Sequence, residues 1–382
     1  MFYYFSQWLM ETVQGSAWEG TFSSLRLFGY VTFRSAGAAV TALVLSWWLG
    51  PKVIEGLKRL KFGQTYKDKA EEAGVSHSRP FDKTGTPTMG GALIVLVLNL
   101  TTMLWAEWNT LVQLTMLSVI VLAVLGFFDD WAKITKQSSA GTTEAVKLLA
   151  QFGVATFIAL YLWRLPHTSR LITDIMVPFY KFPIATGAVV IGIMVTVLAI
   201  VCSSNAVNLT DGLDGLAIGC TVIVTSVLLV ATYIAGDRVL SARLLIPHVA
   251  GASELTVFCA ALIGAGLGFL WFNCFPARVF MGDTGSLPLG GALGIVAVLS
   301  HQPFLLVIAG GIFVIEAGSV VIQRGWFKYT RWRFGEGRRV FLMAPLHHHF
   351  EKKGWLESQV VMRFYIICIL FAVLALSTLK IR

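Results

Sequence analysis

The sequence has few charged residues for its length. Asp, Glu, Lys and Arg make up 13% of its 382 residues, while 56% are hydrophobic. A soluble globular domain would carry roughly a quarter charged residues, so the composition excludes that class. Long apolar runs of helical length predict instead an all-α polytopic integral membrane protein.

Cysteine pairs at CxxC spacing and a Walker A phosphate loop are also missing from the sequence. None of the five cysteines forms a CxxC pair, which argues against both a disulfide framework and a zinc site. The N-terminal segment lacks a basic stretch and a clean cleavage site, so we expect no removable signal peptide. We also expect no nucleic-acid partner, because Lys and Arg in cytoplasmic loops account for the net charge of +9.

The apolar runs approach the roughly 20 residues that a membrane-spanning helix needs. We predict about ten transmembrane helices in a single integral membrane domain covering residues 1–382. The predicted spans are 31–50, 89–106, 111–128, 146–163, 184–201, 216–235, 255–272, 287–299, 304–322 and 360–379.

The charges between these spans predict an orientation. With ten spans, both termini lie on one side of the membrane. The loops on the other side are 51–88, 129–145, 202–215, 273–286 and 323–359. The first and last of them are rich in Lys and Arg, so the positive-inside rule places these five loops in the cytoplasm and both termini outside. Every chemically suggestive segment falls in this set, which predicts one composite active site at the cytoplasmic face.

Carboxylates beside a bilayer are costly and usually functional. The segment NAVNLTDGLDG places Asn208, Asp211 and Asp214 at steps of three, beside glycines that let backbone approach a ligand. The segment FFDDWAK ends a span with the adjacent residues Asp129 and Asp130. Two touching carboxylates repel, which favours a cation between them and suits a base or nucleophile beside a metal.

Simpler interpretations of these acids stay open. Lys133 follows Asp129 at i+4 and Asp130 at i+3, so a helical ion pair would also explain them. In FMGDTGSL, Asp283 has the setting of a metal ligand, but it equally fits a capped start of the eighth span. The two interpretations of Asp283 are compatible with each other.

The other two inner loops offer groups for phosphate binding and proton transfer. FDKTGTPTMGG presents Lys83 and Thr88 just before a helix, although a plain helix-entry turn explains the same residues. His347, His348 and His349 are consecutive, so they cannot all face one point on a helix, and we predict a loop. Hydrogen bonding to phosphate or uracil, or proton transfer, suits them better than zinc.

Together these residues place carboxylates, histidines and lysines on one face of the protein. Oxygen ligands in this number favour Mg²⁺ over zinc. Mg²⁺ and lysines beside a membrane indicate phosphoryl transfer between a soluble phosphoester and a lipid phosphate. A cation transporter is the alternative from another class, but it requires acids inside the spans, where Glu316 is the main exception to an apolar composition.

Five segments resemble those of one known family: GTPTMGG, FFDDWAK, NAVNLTDGLDGLA, FMGDTGSL and APLHHHFEKKGW. Their order is similar to that in the phospho-N-acetylmuramoyl-pentapeptide transferases, within the polyprenyl-phosphate N-acetylhexosamine-1-phosphate transferase superfamily. The resemblance spans nearly the whole chain. Trp131 departs from it, since a Tyr is expected after the Asp pair, but the position keeps an aromatic ring. A superfamily member that moves GlcNAc-1-phosphate is the nearer alternative, and the His-containing loop argues against it.

The resemblance implies a reaction, a cofactor and a location. The enzyme would transfer phospho-MurNAc-pentapeptide from UDP-MurNAc-pentapeptide to undecaprenyl phosphate, giving lipid I and UMP in the first membrane step of peptidoglycan biosynthesis. It would require Mg²⁺ and lie in the bacterial cytoplasmic (inner) membrane. The family is often dimeric, so the resemblance also implies a homodimer.

The resemblance further implies residue roles. Asp129, Asp130 and Asp283 would bind Mg²⁺ and would form the catalytic group together with His347. One of the adjacent acids would activate the lipid phosphate, or would act as nucleophile in a two-step scheme. The residues that would bind substrate are Lys83, Thr88, Lys133, Lys147, Asn208, Asp211, Asp214, Asn273, Phe280, Gln323, His348 and His349.

Overall fold

The structure is a computed structural model that describes residues 1–14, 20, 22–60, 85–136 and 141–380. Most of these residues lie in α-helices, as the long apolar runs predict. A 3-10 helix, Ser23–Gly29, precedes the first long helix, and an isolated antiparallel bridge joins Ile175 to Ala185. The predicted all-α fold class is confirmed.

The α-helices follow one another in this order: α1 (Phe2–Val13), α2 (Val31–Arg59), α3 (Gly91–Trp105), α4 (Thr110–Lys136), α5 (Glu144–Arg164), α6 (Arg170–Thr173), α7 (Val189–Thr210), α8 (Leu216–Gly236), α9 (Arg238–Leu244), α10 (Ser253–Asn273), α11 (Asp283–Leu299), α12 (Pro303–Ala309), α13 (Gly311–Phe334), α14 (Leu346–Lys352) and α15 (Glu357–Thr378).

Several of these helices are long and apolar enough to cross a membrane. Among the described residues there are seven, namely α2, α4, α5, α7, α8, α10 and α15, and the bent pair of α12 and α13 is an eighth candidate. The apolar helices α3 and α11 are shorter, with 15 and 17 residues. Each of the ten predicted runs overlaps one of these helices, so the polytopic membrane class is confirmed.

Helix α11 is buried along its whole length, which explains its many small residues. Gly290 and Gly294 face the backbone of α7, and Gly291 faces Leu122 of α4. Small residues let helices approach closely inside a membrane, where packing rather than the hydrophobic effect drives association. Neighbouring helices enclose α11 on all sides, so it is a short central helix. Its first residue, Asp283, is therefore held in a fixed position.

The ninth predicted run is wrong as a single straight span. We predicted residues 304–322, but the chain bends by 81° between α12 and α13, and α13 continues to Phe334. Two consecutive glycines at the break, Gly310 and Gly311, lower the local preference for helix. Beyond the apolar run the helix persists through Arg- and Lys-rich sequence, since its backbone hydrogen bonds do not depend on lipid.

A buried ion pair ties α2 to α10 at the end remote from Asn273. The Arg34 guanidinium contacts the two carboxylate oxygens of Glu254 at 2.5 and 2.6 Å. Glu254 also accepts the backbone N–H of Glu107 at 2.8 Å. Opposite charges in a bidentate pair neutralise each other, so the pair is tolerated in a low-dielectric environment. No motif in the sequence indicates this pair, since its members are 220 positions apart.

Candidate active site

Three carboxylates from two helices meet at one end of the helix bundle. Asp129 and Asp130 lie near the C-terminal end of α4, and Asp283 is the first residue of α11. Each acid offers one oxygen, and these oxygens all lie within 4.8 Å of one another. All three residues are buried. Buried carboxylates at this spacing repel one another, so the cluster requires cations.

Two lysines supply positive charge to the cluster. Lys133 Nζ lies 2.8 Å from Asp129 Oδ2, 3.4 Å from Asp130 Oδ1 and 3.1 Å from Asp283 Oδ1. Lys147 of α5 places its Nζ 2.8 Å from both Asp129 Oδ2 and Asp283 Oδ2. The helical ion pair predicted for Lys133 is therefore present, and it extends to the third acid. Three negative and two positive charges leave one net negative charge.

Two threonines orient the adjacent acids. Thr142 donates its backbone N–H and its hydroxyl to Asp129 Oδ1, at 2.8 and 2.6 Å. Thr284 donates in the same two ways to Asp130 Oδ2, at 2.9 and 2.7 Å. Hydrogen bonds to a charged acceptor are stronger than neutral ones and fix its orientation. Neither threonine was among the predicted site residues, since a hydroxyl side chain near an acid carries no distinctive pattern.

Glycines let the helices that carry the acids touch. A Cβ added at Gly126 of α4 would overlap the backbone carbonyl of Asp283. A Cβ added at Gly91 would overlap the backbone of Gly285, in the first turn of the same helix α11. The acids of α4 and α11 can share one site because the two backbones approach this closely.

The segment before α11 pairs with the segment before α3. Phe280 donates its N–H to the Pro87 carbonyl at 2.8 Å and accepts the N–H of Gly90 at 2.9 Å. The pairing sets the Thr88 hydroxyl against Gly282, immediately before the first residue of α11. Two of the predicted substrate-binding residues thus lie beside the acidic cluster. Lys83 lies outside the described residues, and its phosphate contact stays a prediction.

The C-terminal end of α7 brings the NAVNLTDGLDG segment to the same cluster. Asn208 Nδ2 donates to Asp283 Oδ1 at 2.9 Å. Asp211 follows the last residue of α7. Burial raises the pKa of Asp211 well above its usual range, and the charges of Asp283 and Asp130 raise it further, while Lys133 opposes the rise. Asp211 therefore lies close enough to the cluster for the charges of its acids to affect it, and its substrate-binding role stays a prediction.

A chain of side-chain hydrogen bonds fixes α5 against α7 and α11 below Lys147. Gln151, one turn from Lys147, donates to the Ser204 hydroxyl at 3.1 Å and accepts from Asn205 Nδ2 at 2.6 Å. The Ser204 hydroxyl donates in turn to the Leu287 carbonyl at 2.9 Å. Gln151 and Ser204 are completely buried. This polar chain sets the register of α5 that lets Lys147 reach the acids.

Asp214 and Asn273 connect segments around the turn after α7. Asp214 Oδ2 accepts the Ala277 N–H at 3.0 Å. Asn273 accepts the Gly215 N–H at 3.1 Å and donates to the Val279 carbonyl at 2.8 Å. Both side chains are buried. These bonds join residues 214–215 to residues 273–279. The substrate-binding roles of Asp214 and Asn273 stay predictions.

Gln323 of α13 contacts the loop that follows its helix. Its Oε1 accepts the N–H groups of Val340 and Phe341 at 3.0 and 2.9 Å. Its Nε2 donates to the Phe341 carbonyl at 3.0 Å. The described bonds of Gln323 therefore hold the loop in place, and its contact with substrate stays a prediction.

The His tract lies in the short helix α14, so the predicted loop is wrong at this point. Pro345 precedes the helix, where proline is tolerated because the first N–H groups of a helix have no partner within it. Each ring uses Nδ1 for a different partner: Glu316 at 2.8 Å from His347, Glu351 at 2.7 Å from His348, and the N–H of Leu342 at 3.1 Å from His349. The prediction that the three rings cannot face one point is confirmed.

The acidic cluster suits a divalent cation that prefers oxygen ligands. Its donors are the carboxylates of Asp129, Asp130 and Asp283, spaced closely enough to share one ion. Mg²⁺ prefers such ligands, whereas zinc favours nitrogen and sulfur. Two added positive charges would change the net charge of the cluster from −1 to +1, which would favour an anionic ligand beside it.

Comparison with known proteins agrees with this chemistry. The family described as Glycosyl transferase family 4 matches residues 112–301. The Phospho-N-acetylmuramoyl-pentapeptide-transferase of Methylacidiphilum infernorum (isolate V4) is 48% identical over 368 residues, covering 96% of this chain and 98% of the relative. The protein of the same name from Syntrophus aciditrophicus (strain SB) is 46% identical over 366 residues, covering 95% and 97%.

The fold and the acidic site define a polytopic membrane transferase of the glycosyl transferase family 4 type. At this identity and coverage, the chain belongs to the phospho-N-acetylmuramoyl-pentapeptide-transferase family. The family resemblance seen in the sequence motifs is confirmed.

Proposed function

We propose that this protein transfers phospho-MurNAc-pentapeptide from UDP-MurNAc-pentapeptide to undecaprenyl phosphate, giving lipid I and UMP. The observation that carries the proposal is the buried cluster of Asp129, Asp130 and Asp283 with two lysines, at one end of a membrane bundle in a chain of this family. At such a place a soluble nucleotide and a membrane-held lipid phosphate can meet.

Mg²⁺ is the cofactor that best fits the cluster, held by Asp129, Asp130 and Asp283. When bound, it would neutralise charge on the phosphate oxygens that react. Lys133 and Lys147 contact the same carboxylates, so their ammonium groups are placed to bind the phosphates of the substrates. Asn208 keeps Asp283 in position through its hydrogen bond of 2.9 Å.

A direct displacement agrees best with the geometry of the adjacent acids. Both oxygens of Asp129 and of Asp130 lie within hydrogen-bonding or ion-pair distance of donors, and both residues are buried. Attack on phosphorus would require one of these oxygens to leave its donors and reach the substrate, whereas binding of a metal within the cluster leaves the carboxylates in place. In the direct scheme, an oxygen of the lipid phosphate bonds to the β-phosphorus of the UDP-sugar as the bond to the UMP oxygen breaks. The lipid phosphate is largely ionised at neutral pH, so little base strength is required.

Labelled UDP-MurNAc-pentapeptide without lipid tests this scheme. We expect no labelled protein after rapid denaturation, because no enzyme-bound phosphosugar forms. Stoichiometric label on the protein that lipid phosphate then removes would instead establish a covalent aspartyl intermediate.

The transferase activity itself is tested by UMP release from purified protein in detergent. Wild-type protein should release UMP only when UDP-MurNAc-pentapeptide, undecaprenyl phosphate and Mg²⁺ are all present. Asp283→Asn should abolish release, whereas Glu336→Gln, which changes an exposed acid of the loop 323–359, should not. Release from UDP-GlcNAc instead would indicate a member of the same superfamily that transfers GlcNAc-1-phosphate. No release from either substrate would reopen the transporter hypothesis.

We also propose that the site faces the cytoplasm of a bacterial inner membrane and that the protein forms a homodimer. The orientation is supported by the Lys- and Arg-rich loops 51–88 and 323–359 on the side that carries the acidic motifs. The dimer is implied by the family resemblance alone, and light scattering of the purified protein in detergent would test it.

A further inference from the structure

Glu316 is a buried carboxylate that the transfer reaction leaves without a role. It lies in the second turn of α13, within a predicted span, and is completely buried. Ionisable side chains at such depth are costly and persist when a partner satisfies them. Glu316 lies outside the cluster of Asp129, Asp130 and Asp283, so binding of the metal does not explain it.

Both oxygens of Glu316 are directed at one residue. Oε2 lies 2.8 Å from His347 Nδ1, and Oε1 accepts the His347 backbone N–H at 3.2 Å. A carboxylate accepts hydrogen bonds and cannot donate them, so the shared proton belongs to Nδ1. The same contact sets both the orientation of the ring and its tautomer, which leaves Nε2 as the atom with a free lone pair.

His347 Nε2 is directed at loop 211–214, the turn that follows α7. It is buried and has no hydrogen-bond partner in the described residues. A Cβ added at Gly212 would overlap Nε2, so the ring packs directly beneath the turn that follows Asp211. A buried polar atom without a partner is energetically costly, and such atoms are uncommon in native proteins. An imidazole held firmly on one side and unpartnered on the other is arranged to meet a ligand.

We propose that Glu316 is a positioning residue, which holds His347 with Nε2 presented to loop 211–214 and to the substrate bound there. In this arrangement Nε2 accepts a hydrogen bond or a proton from the substrate. The inference rests on the proposed transferase function and deepens it, since it assigns the tautomer of His347 and explains the buried acid. Glu316 acts through His347 and does not itself touch the substrate.

A purely structural role for Glu316 makes a different prediction. If the carboxylate only joined α13 to α14, a glutamine of the same shape would serve almost as well. A glutamine can also present its NH₂ group to Nδ1, which would stabilise the other tautomer and move the ring proton to Nε2. Glu316→Gln therefore removes the control of the His347 tautomer while it keeps the packing between α13 and α14.

The test measures kcat, KM for both substrates and Tm for Glu316→Gln, Glu316→Asp and a matched control. The control is Ser319→Ala, which removes a buried hydroxyl one turn away whose hydrogen bond ends on the Glu316 backbone carbonyl. We expect Glu316→Gln to lower kcat on the order of 10²-fold, in the range of general acid–base contributions. Tm and both KM values should stay close to wild type. Glu316→Asp should recover part of the loss, and Ser319→Ala should keep wild-type kcat.

Wild-type kcat in Glu316→Gln, or an aspartate variant no better than the glutamine variant, would overturn the proposal. A second measurement does not depend on activity. Protein labelled with ¹⁵N-histidine should show His347, assigned by comparison with His347→Gln, with its proton on Nδ1. A proton on Nε2 would overturn the inference even in a fully active enzyme. If wild-type protein released no UMP while His347 carried its proton on Nδ1, the proposed function would fail and the positioning contact would stand.

Discussion

At the scale of single residues, the carboxylates of the site are held by their neighbours more than by their own helices. Asp129 takes two hydrogen bonds from Thr142, and Asp130 takes two from Thr284. Lys133 and Lys147 then bridge to Asp283. Each acid has a defined orientation before any substrate binds, which is the condition for electrostatic stabilisation by a preorganised site.

Thr284→Val tests the contribution of one orienting hydroxyl. Valine keeps the shape of threonine but removes the hydrogen bond of 2.7 Å to Asp130 Oδ2. We expect activity to fall about 10- to 100-fold, the usual effect of losing a group that orients a metal ligand. UMP release measured against Mg²⁺ concentration checks this. Thr221→Val, which removes a buried hydroxyl within α8, is the control, and an equal loss there would argue against a specific role of Thr284.

Lys133→Met tests the charge balance of the cluster. Without its ammonium group, three acids and one lysine leave two net negative charges, so repulsion in the metal-free protein rises. We expect Tm to fall in EDTA and to rise on addition of Mg²⁺ by more than in the wild type, because a bound cation stabilises the folded state. Lys136→Met, at an exposed lysine of the same helix, should behave as wild type. An unchanged Mg²⁺ response in Lys133→Met would show that Mg²⁺ does not bind among these acids.

At the scale of helices, close backbone contact determines the site. Helix α11 is buried throughout and meets α4 where Gly126 faces the backbone carbonyl of Asp283. Neither helix could approach so closely with a larger residue at that point. The distance between the adjacent acids and the third acid therefore depends on a residue without a side chain.

Gly126→Ala should separate α4 from α11 and so reduce both stability and activity. The added Cβ would overlap a backbone atom that cannot rotate away, and such overpacking costs about 1–3 kcal/mol. Tm in detergent and kcat for UMP release measure the two effects. Gly153→Ala in α5 is the matched control, since its Cβ would meet no atom within 4 Å. There we expect a neutral result or a gain of up to about 1 kcal/mol from helix propensity. Wild-type Tm and kcat in Gly126→Ala would contradict the close contact.

At the scale of the whole molecule, the chemical groups collect at one end of the bundle while the buried ion pair of Arg34 and Glu254 lies at the other. Buried charge is therefore balanced at one end of the bundle and unbalanced at the other. The charges of Arg34 and Glu254 balance each other through two hydrogen bonds. The acidic cluster has one net negative charge and so attracts a further cation. This asymmetry opposes the transporter hypothesis, which requires a charged path along the spans.

Cysteine labelling tests the proposed orientation. In a cysteine-free background, Lys353→Cys would report on the end that carries α14, and Tyr180→Cys on the opposite loops, both at exposed positions. We expect an impermeant maleimide to label position 180 in intact spheroplasts and position 353 only after permeabilisation. The reverse pattern would place the site outside the cell and contradict the orientation derived from loop charge.

Much of the fold and part of the site could be predicted because their causes are local in sequence. Apolar runs report lipid exposure or burial directly, so each predicted run overlaps a helix of the structure. The adjacency of Asp129 and Asp130, and the position of Lys133 one turn later, follow from helical periodicity alone. The bend before α13 and the helix at His347 were missed, since the apolar pattern of the sequence marks neither a bend at two glycines nor a short polar helix.

By itself, the sequence determined the membrane class, the family and the residue types of the site, because composition, hydrophobic pattern and motifs are properties of short segments. Only the tertiary structure decided which of those residues meet. Thr142 reaches Asp129 across 13 positions, and Glu316 reaches His347 across 31. Contacts over such separations depend on how helices pack, and no periodicity along the chain encodes that packing. The same folding turned Gln323 and Asn273 towards the backbone of neighbouring loops.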